Sequence, residues 1–218
     1  ARLQEYLHVE WTYHSNSIEG STLTRQETLV VLKHGLTVGG KPMVEHLEAI
    51  NHQSAIDYVE QLANQPTPPT ENDIGAIHRL VLKGIDDENA GRYRQRQVFI
   101  SGSEYIPPPP SAVPGRMAEL GDWLSRADDL HPVDRAARAH FWLVDVHPFL
   151  DGNGRGSRVL MNLVLLQSQY PIAIIQTEDR LAYYEALEAG HVGNLANFLS
   201  LVANAVDRTA DLYLAATE

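Results

Sequence analysis

Cysteine is absent from all 218 residues, and with it go disulfides, thiolate metal sites and cysteine nucleophiles. That absence fits a reducing compartment, and a cytoplasmic location is the expectation. Positive charge is scarce too: 17 Lys and Arg stand against 28 Asp and Glu, a formal net charge of -11. So acidic a chain is a poor polyanion binder, and neither nucleic acid nor a membrane surface is expected as a partner. Any phosphate chemistry must rest on local positive charge. No run approaches the roughly 18 apolar residues of a membrane-spanning helix. Residues 1–11 carry charges where a signal peptide has its apolar stretch, so no export signal is expected there. A hydrophobic fraction of 44% is enough for a packed core, and the length favours one domain over two.

The apolar spacing reads as helices with one extended interruption. Leu3, Leu7, Trp11 and Ile18 share a face of a first helix that Gly20 can end. Thr24 with Glu27 makes a capping box for a second helix, which Gly35 closes. Pro42 opens a third at its first turn, running to about Ala63. The segment Gln65–Pro69 is a proline-rich break, and Thr70 with Asp73 starts a fourth helix that stops near Gly84. From Arg92 to Ser101 the pattern turns extended. Ser101-Gly102-Ser103 supplies a turn and Tyr105-Ile106 return as a short strand, which predicts a β-hairpin. Pro107–Pro110 then form a rigid polyproline spacer. Helices resume at 112–127, 132–146, 152–169, 178–189 and 195–216. The expected fold class is all-α, a helical bundle with a small β-hairpin.

One stretch is unlike the rest: His147-Pro148-Phe149-Leu150-Asp151-Gly152-Asn153-Gly154-Arg155-Gly156-Ser157-Arg158. Pro148 biases His147 away from the α region, so the preceding helix should end there and present the imidazole from a loop. Gly152 and Gly154 permit a tight turn whose N–H groups converge on an anion, and the next helix aims its positive end at the same place. Arg155 and Arg158 fall on that helix's first turns, where two cations are unfavourable unless an anion sits between them. Asp151 is then a carboxylate beside phosphates, the usual way to hold Mg²⁺ with few protein ligands. His147 is the group suited to taking a proton near neutral pH. Base, metal ligand, phosphate cradle and charge clamp together describe nucleotidyl transfer; the bland alternative is a glycine-rich helix entry with a solvated arginine pair.

These residues resemble the Fic family, whose motif H-x-F-x-[DE]-G-N-G-R-x-x-R is matched at every fixed position. Ala90-Gly91-Arg92-Tyr93-Arg94 and Val98–Pro108 also resemble the family's target-binding flap, and the likeness runs from about Tyr13 onward. It implies a single Fic domain over residues 1–218, with an inhibitory helix at 1–20, a flap at 92–108 and the catalytic motif at 147–158. The implied activity is transfer of AMP from ATP to a Ser, Thr or Tyr hydroxyl of a target protein, or of the enzyme itself. By the same resemblance His147 is the catalytic base and Asp151 holds Mg²⁺. Gly152, Asn153, Gly154, Arg155 and Arg158 bind the nucleotide phosphates, with Arg158 on the γ-phosphate. Tyr183 and Tyr184 fall in the adenine pocket, where His191 replaces a frequent Asn. Val98, Phe99 and Ile100 of the flap would hold the backbone of an unidentified target by strand addition. A homodimer is compatible with this reading.

Ser15-Asn16-Ser17-Ile18-Glu19-Gly20 fits the inhibitory pattern [ST]-x-x-x-E-[GN] of the same family. Glu19 falls at a helix C-terminus, where a carboxylate opposes the macrodipole and calls for a cation. By resemblance that cation is Arg158, and the pairing would take it from the γ-phosphate. Other readings stay open: AMP removal by the same site, a different donor such as UTP, a phosphocholine nucleotide or a phosphate, or a silent interaction module. A zinc hydrolase is disfavoured, since none of the ten His falls in an H-E-x-x-H or similar spacing; His46, His52, His131 and His140 read as surface or core residues.

Overall fold

The computed structural model describes residues 2–126 and 129–217. Among them run α1 (Arg2–Ile18), α2 (Arg25–His34), α3 (Met43–Ala63), α4 (Glu71–Val81), α5 (Val113–Arg126), α6 (Pro132–Val146), α7 (Asn153–Gln167), α8 (Arg180–His191) and α9 (Ala196–Ala215). The expected helix end at 127 and the outermost residues of the expected domain lie outside the described residues. Local chemistry sets the boundaries. Thr24 and Thr70 close reciprocal capping boxes with Glu27 and Asp73, and Gly35 ends α2 in the left-handed region at φ 61°. Pro42 is the N-cap of α3 rather than a first-turn residue, and His131 caps α6 by accepting from the Val133 N–H at 3.3 Å.

Two apolar clusters meet at α7. Leu160, Met161, Val164 and Leu165 pack against α5, α6, α8 and α9, while Val159 and Leu163 pack against α1, α3 and α4. With almost every residue from Asn153 to Leu165 buried, α7 is the centre of the bundle, and it carries the motif's two arginines there. Helix α1 is part of the core: Leu7, Trp11 and Ile18 are buried. Residues 172–175 cross the interior as a buried extended segment, which Asn162 makes tolerable by bonding both the N–H (2.7 Å) and the carbonyl (3.1 Å) of Ala173. No helix among the described residues is long and apolar enough to cross a membrane.

The expected hairpin does not form. Residues 92–108 are extended or turn-like, but no strand is present among the described residues. The return segment is the reason: Pro107–Pro110 have no N–H to donate, so a two-stranded ladder cannot be completed. The one backbone bond across the tip joins the Ser103 N–H to the Ile100 carbonyl at 3.1 Å. The neck is closed by side chains instead, with Gln97 Nε2 donating to the Pro107 carbonyl at 2.9 Å. The polyproline spacer is also shorter than expected, because Pro110 already begins a 3₁₀ turn, Pro110–Ala112.

Candidate active site

The loop between α6 and α7 gathers the motif. His147 is the C-cap of α6 and sits in the left-handed region at φ 47° and ψ 57°, its N–H bonded to the Leu143 carbonyl at 3.0 Å. That turn lifts the imidazole off the helix, as expected from Pro148. Nδ1 is buried within the protein, which leaves Nε2 as the nitrogen able to meet a substrate. Burial pushes the imidazole down to about 4, against weaker upward pulls from a hydrogen bond to the Val144 backbone and from the Glu19 and Asp151 carboxylates. It is therefore neutral at physiological pH, as a base must be.

Asn153 turns inward, accepting from the Phe149 N–H and donating to the Phe149 carbonyl, both at 3.0 Å. Its side chain braces the loop, and the face it leaves open is lined by backbone N–H groups at the start of α7. Gly152 occupies φ 74°, a conformation costly for any residue with a Cβ. His78 on α4 holds this turn. Its Nδ1 accepts from the Gly91 N–H and its Nε2 donates to the Asp151 carbonyl, both at 2.8 Å. Its ring stacks on Phe149 at 3.6 Å. The Asp151 carboxylate is 69% exposed and has Arg155 Nη2 at 3.3 Å.

The two arginines diverge. Arg155 reaches toward α3, where Nη1 meets Glu48 Oε1 at 2.9 Å. Arg158 reaches toward α1: Nη2 donates to Glu19 Oε1 at 2.7 Å and to the Ser15 carbonyl at 2.8 Å, and Nε to Ser15 Oγ at 3.0 Å. Sequence reasoning expected a shared anion to relieve their repulsion; here two carboxylates do so. Nothing about Glu48 marked it in advance as a partner. The Glu19 carboxylate lies against Gly154, where a Cβ would collide with Oε1, so that residue is glycine for close approach rather than for its backbone angle.

Tyr183 and Tyr184 split between two environments. Tyr183 is buried (1% exposed), receives Arg158 Nη1 at 3.3 Å and pairs with His140 Nε2 at 3.0 Å. Burial raises its phenol to about 12, so it stays protonated and steadies the guanidinium. Tyr184 is half-exposed and donates to the Ile18 carbonyl at the end of α1, at 3.2 Å. His191 stacks on Tyr105 of the flap at 3.7 Å and meets Asp145 at 3.1 Å. Of the flap residues, Phe99 is 75% exposed, and the backbone of Val98 and Ile100 lies in the unladdered segment.

Such a fold and loop define an all-helical domain with a glycine-rich turn leading into a buried central helix, and comparison with known proteins narrows it. The Fic/DOC family model matches residues 68–165. A protein adenylyltransferase Fic of Nematostella vectensis is 41% identical over 208 residues, covering 94% of this chain and 48% of that protein. The solved structure of Fic-1 from C. elegans is 33% identical, with TM-score 0.90 over 97% of this chain and 63% of that one. A Fic domain containing signalling protein from Bacteroides thetaiotaomicron is 29% identical, with TM-score 0.89 over 97% of this chain and 87% of that one. The chain belongs to the Fic/DOC family. It spans about half the length of the curated relatives it matches.

Proposed function

We propose that this chain is the catalytic domain of a protein adenylyltransferase, autoinhibited by Glu19. The observation that carries the reading is the Glu19 carboxylate, seated against Gly154 and bonded to Arg158, beside a neutral His147. The curated relatives named protein adenylyltransferase Fic support it. In the forward reaction a target hydroxyl attacks the α-phosphorus of ATP, and its proton passes to His147 Nε2. The bond from the α-phosphorus to the bridging oxygen breaks, and pyrophosphate leaves with the electron pair. Backbone N–H groups at the start of α7 and the guanidinium of Arg155 stabilise the charge, which is the largest contribution in phosphoryl chemistry of this kind. The unladdered backbone of 98–100 supports docking of a target segment by strand addition.

The hard oxygen donor of Asp151, exposed beside this anion-binding loop, suits Mg²⁺. Once bound, the ion would neutralise phosphate charge. Glu19 restrains the reaction by holding Arg158 away from the γ-phosphate. Because α1 is core, relief requires only that the Glu19 side chain, 34% exposed, rotate away. Glu19 also acts on His147 through its charge, which favours a second reading: the carboxylate orients water for removal of AMP by the same groups. Incubation with ATP labelled at the α-phosphate tests transfer, and a pre-modified target followed by mass spectrometry tests removal.

A further inference from the structure

Arg94 is almost inaccessible, at 2% exposure, yet no carboxylate pairs with it among the described residues. Backbone carbonyls satisfy its guanidinium instead. Nε donates to His147 at 2.8 Å, Nη1 to Arg96 at 3.1 Å, and Nη2 to Pro108 at 2.5 Å and more weakly to Val146 at 3.5 Å. Its own N–H bonds the Pro148 carbonyl at 2.9 Å. Two of these acceptors, Val146 and His147, are the C-terminal carbonyls of α6, where the helix dipole favours a cation. The other two, Arg96 and Pro108, flank the neck of the flap, which cannot ladder because its return segment is proline. One side chain thus meets both the residue that presents the imidazole and the loop that would receive a target. The left-handed backbone of His147 is unfavourable for a residue with a Cβ and needs such outside support.

We propose that Arg94 is a positioning residue that joins the flap and His147 into one rigid unit, so that a docked target and the base arrive in register. The proposal rests on the transferase reading for the roles of base and flap; the mechanical link itself does not. Arg94 touches no reacting atom and acts through the backbone of its neighbours. Arg155, Arg158 and the start of α7 lie outside its bonds, so nucleotide binding should be independent of it.

The test uses the full chain carrying Glu19→Gly, with Arg94→Met and Arg94→Lys added separately. Three quantities are read: amide hydrogen exchange, the Kd for a non-hydrolysable ATP analogue, and the rate of self-labelling from ATP. For Arg94→Met, exchange at 96–106 and at the His147 N–H should quicken about tenfold or more. Exchange in α7 and the analogue Kd should stay within about twofold, while labelling falls about tenfold or more. Arg94→Lys keeps a cation with three donors and should recover part of both losses. Unchanged exchange at 96–106 and His147 in Arg94→Met would overturn the proposal. So would parallel loss of α7 protection and analogue binding, which marks a merely structural residue. A Glu19→Gly protein that binds the analogue and labels nothing would refute the transferase reading, while the exchange data still decide the link.

Discussion

Glu19 and Arg158, 139 residues apart in the chain, meet at 2.7 Å beside the glycine-rich turn that opens α7. Ser15 contributes both its hydroxyl and its carbonyl to the same guanidinium, so one turn of α1 satisfies most of that group. The arginine is buried, and an ion pair there is far less screened than a surface one.

Gly154 tests whether Glu19 and a phosphate compete for one space. A Cβ at this position would strike Glu19 Oε1 and lie 3.2 Å from Arg158 Nη1. Gly154→Ala should therefore disrupt the pair without restoring activity, because any anion in that space meets the same methyl. In the Glu19→Gly background it should weaken ATP affinity by about tenfold or more, roughly 1.4 kcal/mol. Calorimetric titration with an ATP analogue checks this, and unchanged affinity would separate the two anion positions.

His147→Ala should keep the fold and lower transfer by about 10²- to 10⁴-fold, the usual cost of losing a general base. The loop around it is held by Asn153, His78 and Arg94 rather than by its own ring, so the fold should survive the loss. Matched thermal melts with transfer at the wild-type rate would remove His147 from the mechanism.

Much of this site was legible beforehand. The motif's glycines, His147 and the Glu19 segment each carry a local signature, either a special backbone angle or a helix end. The helices followed from capping residues and apolar spacing. Glu48 and His78 were invisible as site residues because their partners come from distant segments, and a lone Glu or His on a helix looks like any other; Arg94 was read only as part of the flap, with no sign of its bond to His147. The hairpin was over-read: the β-branched and aromatic residues of 98–106 suggested pairing, but the four prolines that follow removed its donors. Nothing in the sequence signalled that the Asn153 amide would close the loop on Phe149.

Acid should destabilise the fold over a definite window. Burial lowers His78 and His147 to about 4 and His52 to about 3, from an ordinary 6.5, and holds His140 well below that value. Between those limits the unfolded chain binds protons that the folded chain does not, so stability falls as pH drops from about 6.5 toward 4. Each group can contribute up to about 1.4 kcal/mol per pH unit in its window. Glu48, raised by burial, gives the opposite slope just above 4.5. Denaturant midpoints at pH 7, 6 and 5 should fall in that order; a flat profile would mean these rings are not buried as neutral groups.

Transfer should require a divalent cation, and Asp151→Ala should raise the Mg²⁺ concentration needed for half-maximal rate by about tenfold or more. Asp151 is the one carboxylate of the motif, and phosphate-bound Mg²⁺ commonly takes one or two ligands from protein. Activity measured against Mg²⁺ decides the point. Full transfer in excess chelator would show that Asp151 serves only its bond to Arg155.

The most direct measurement is incorporation of label from α-labelled ATP into protein, compared among wild type, Glu19→Gly, Arg158→Ala and the double variant. Glu19→Gly should label itself or an added protein target at least about tenfold faster than wild type, since about 1.4 kcal/mol of competing ion pair is enough to hold the productive pose to a minor population. Arg158→Ala should be silent, and the double variant should be equally silent, because the cation that Glu19 held is gone. Equal rates for wild type and Glu19→Gly, or a double variant as active as Glu19→Gly alone, would contradict autoinhibition through Arg158.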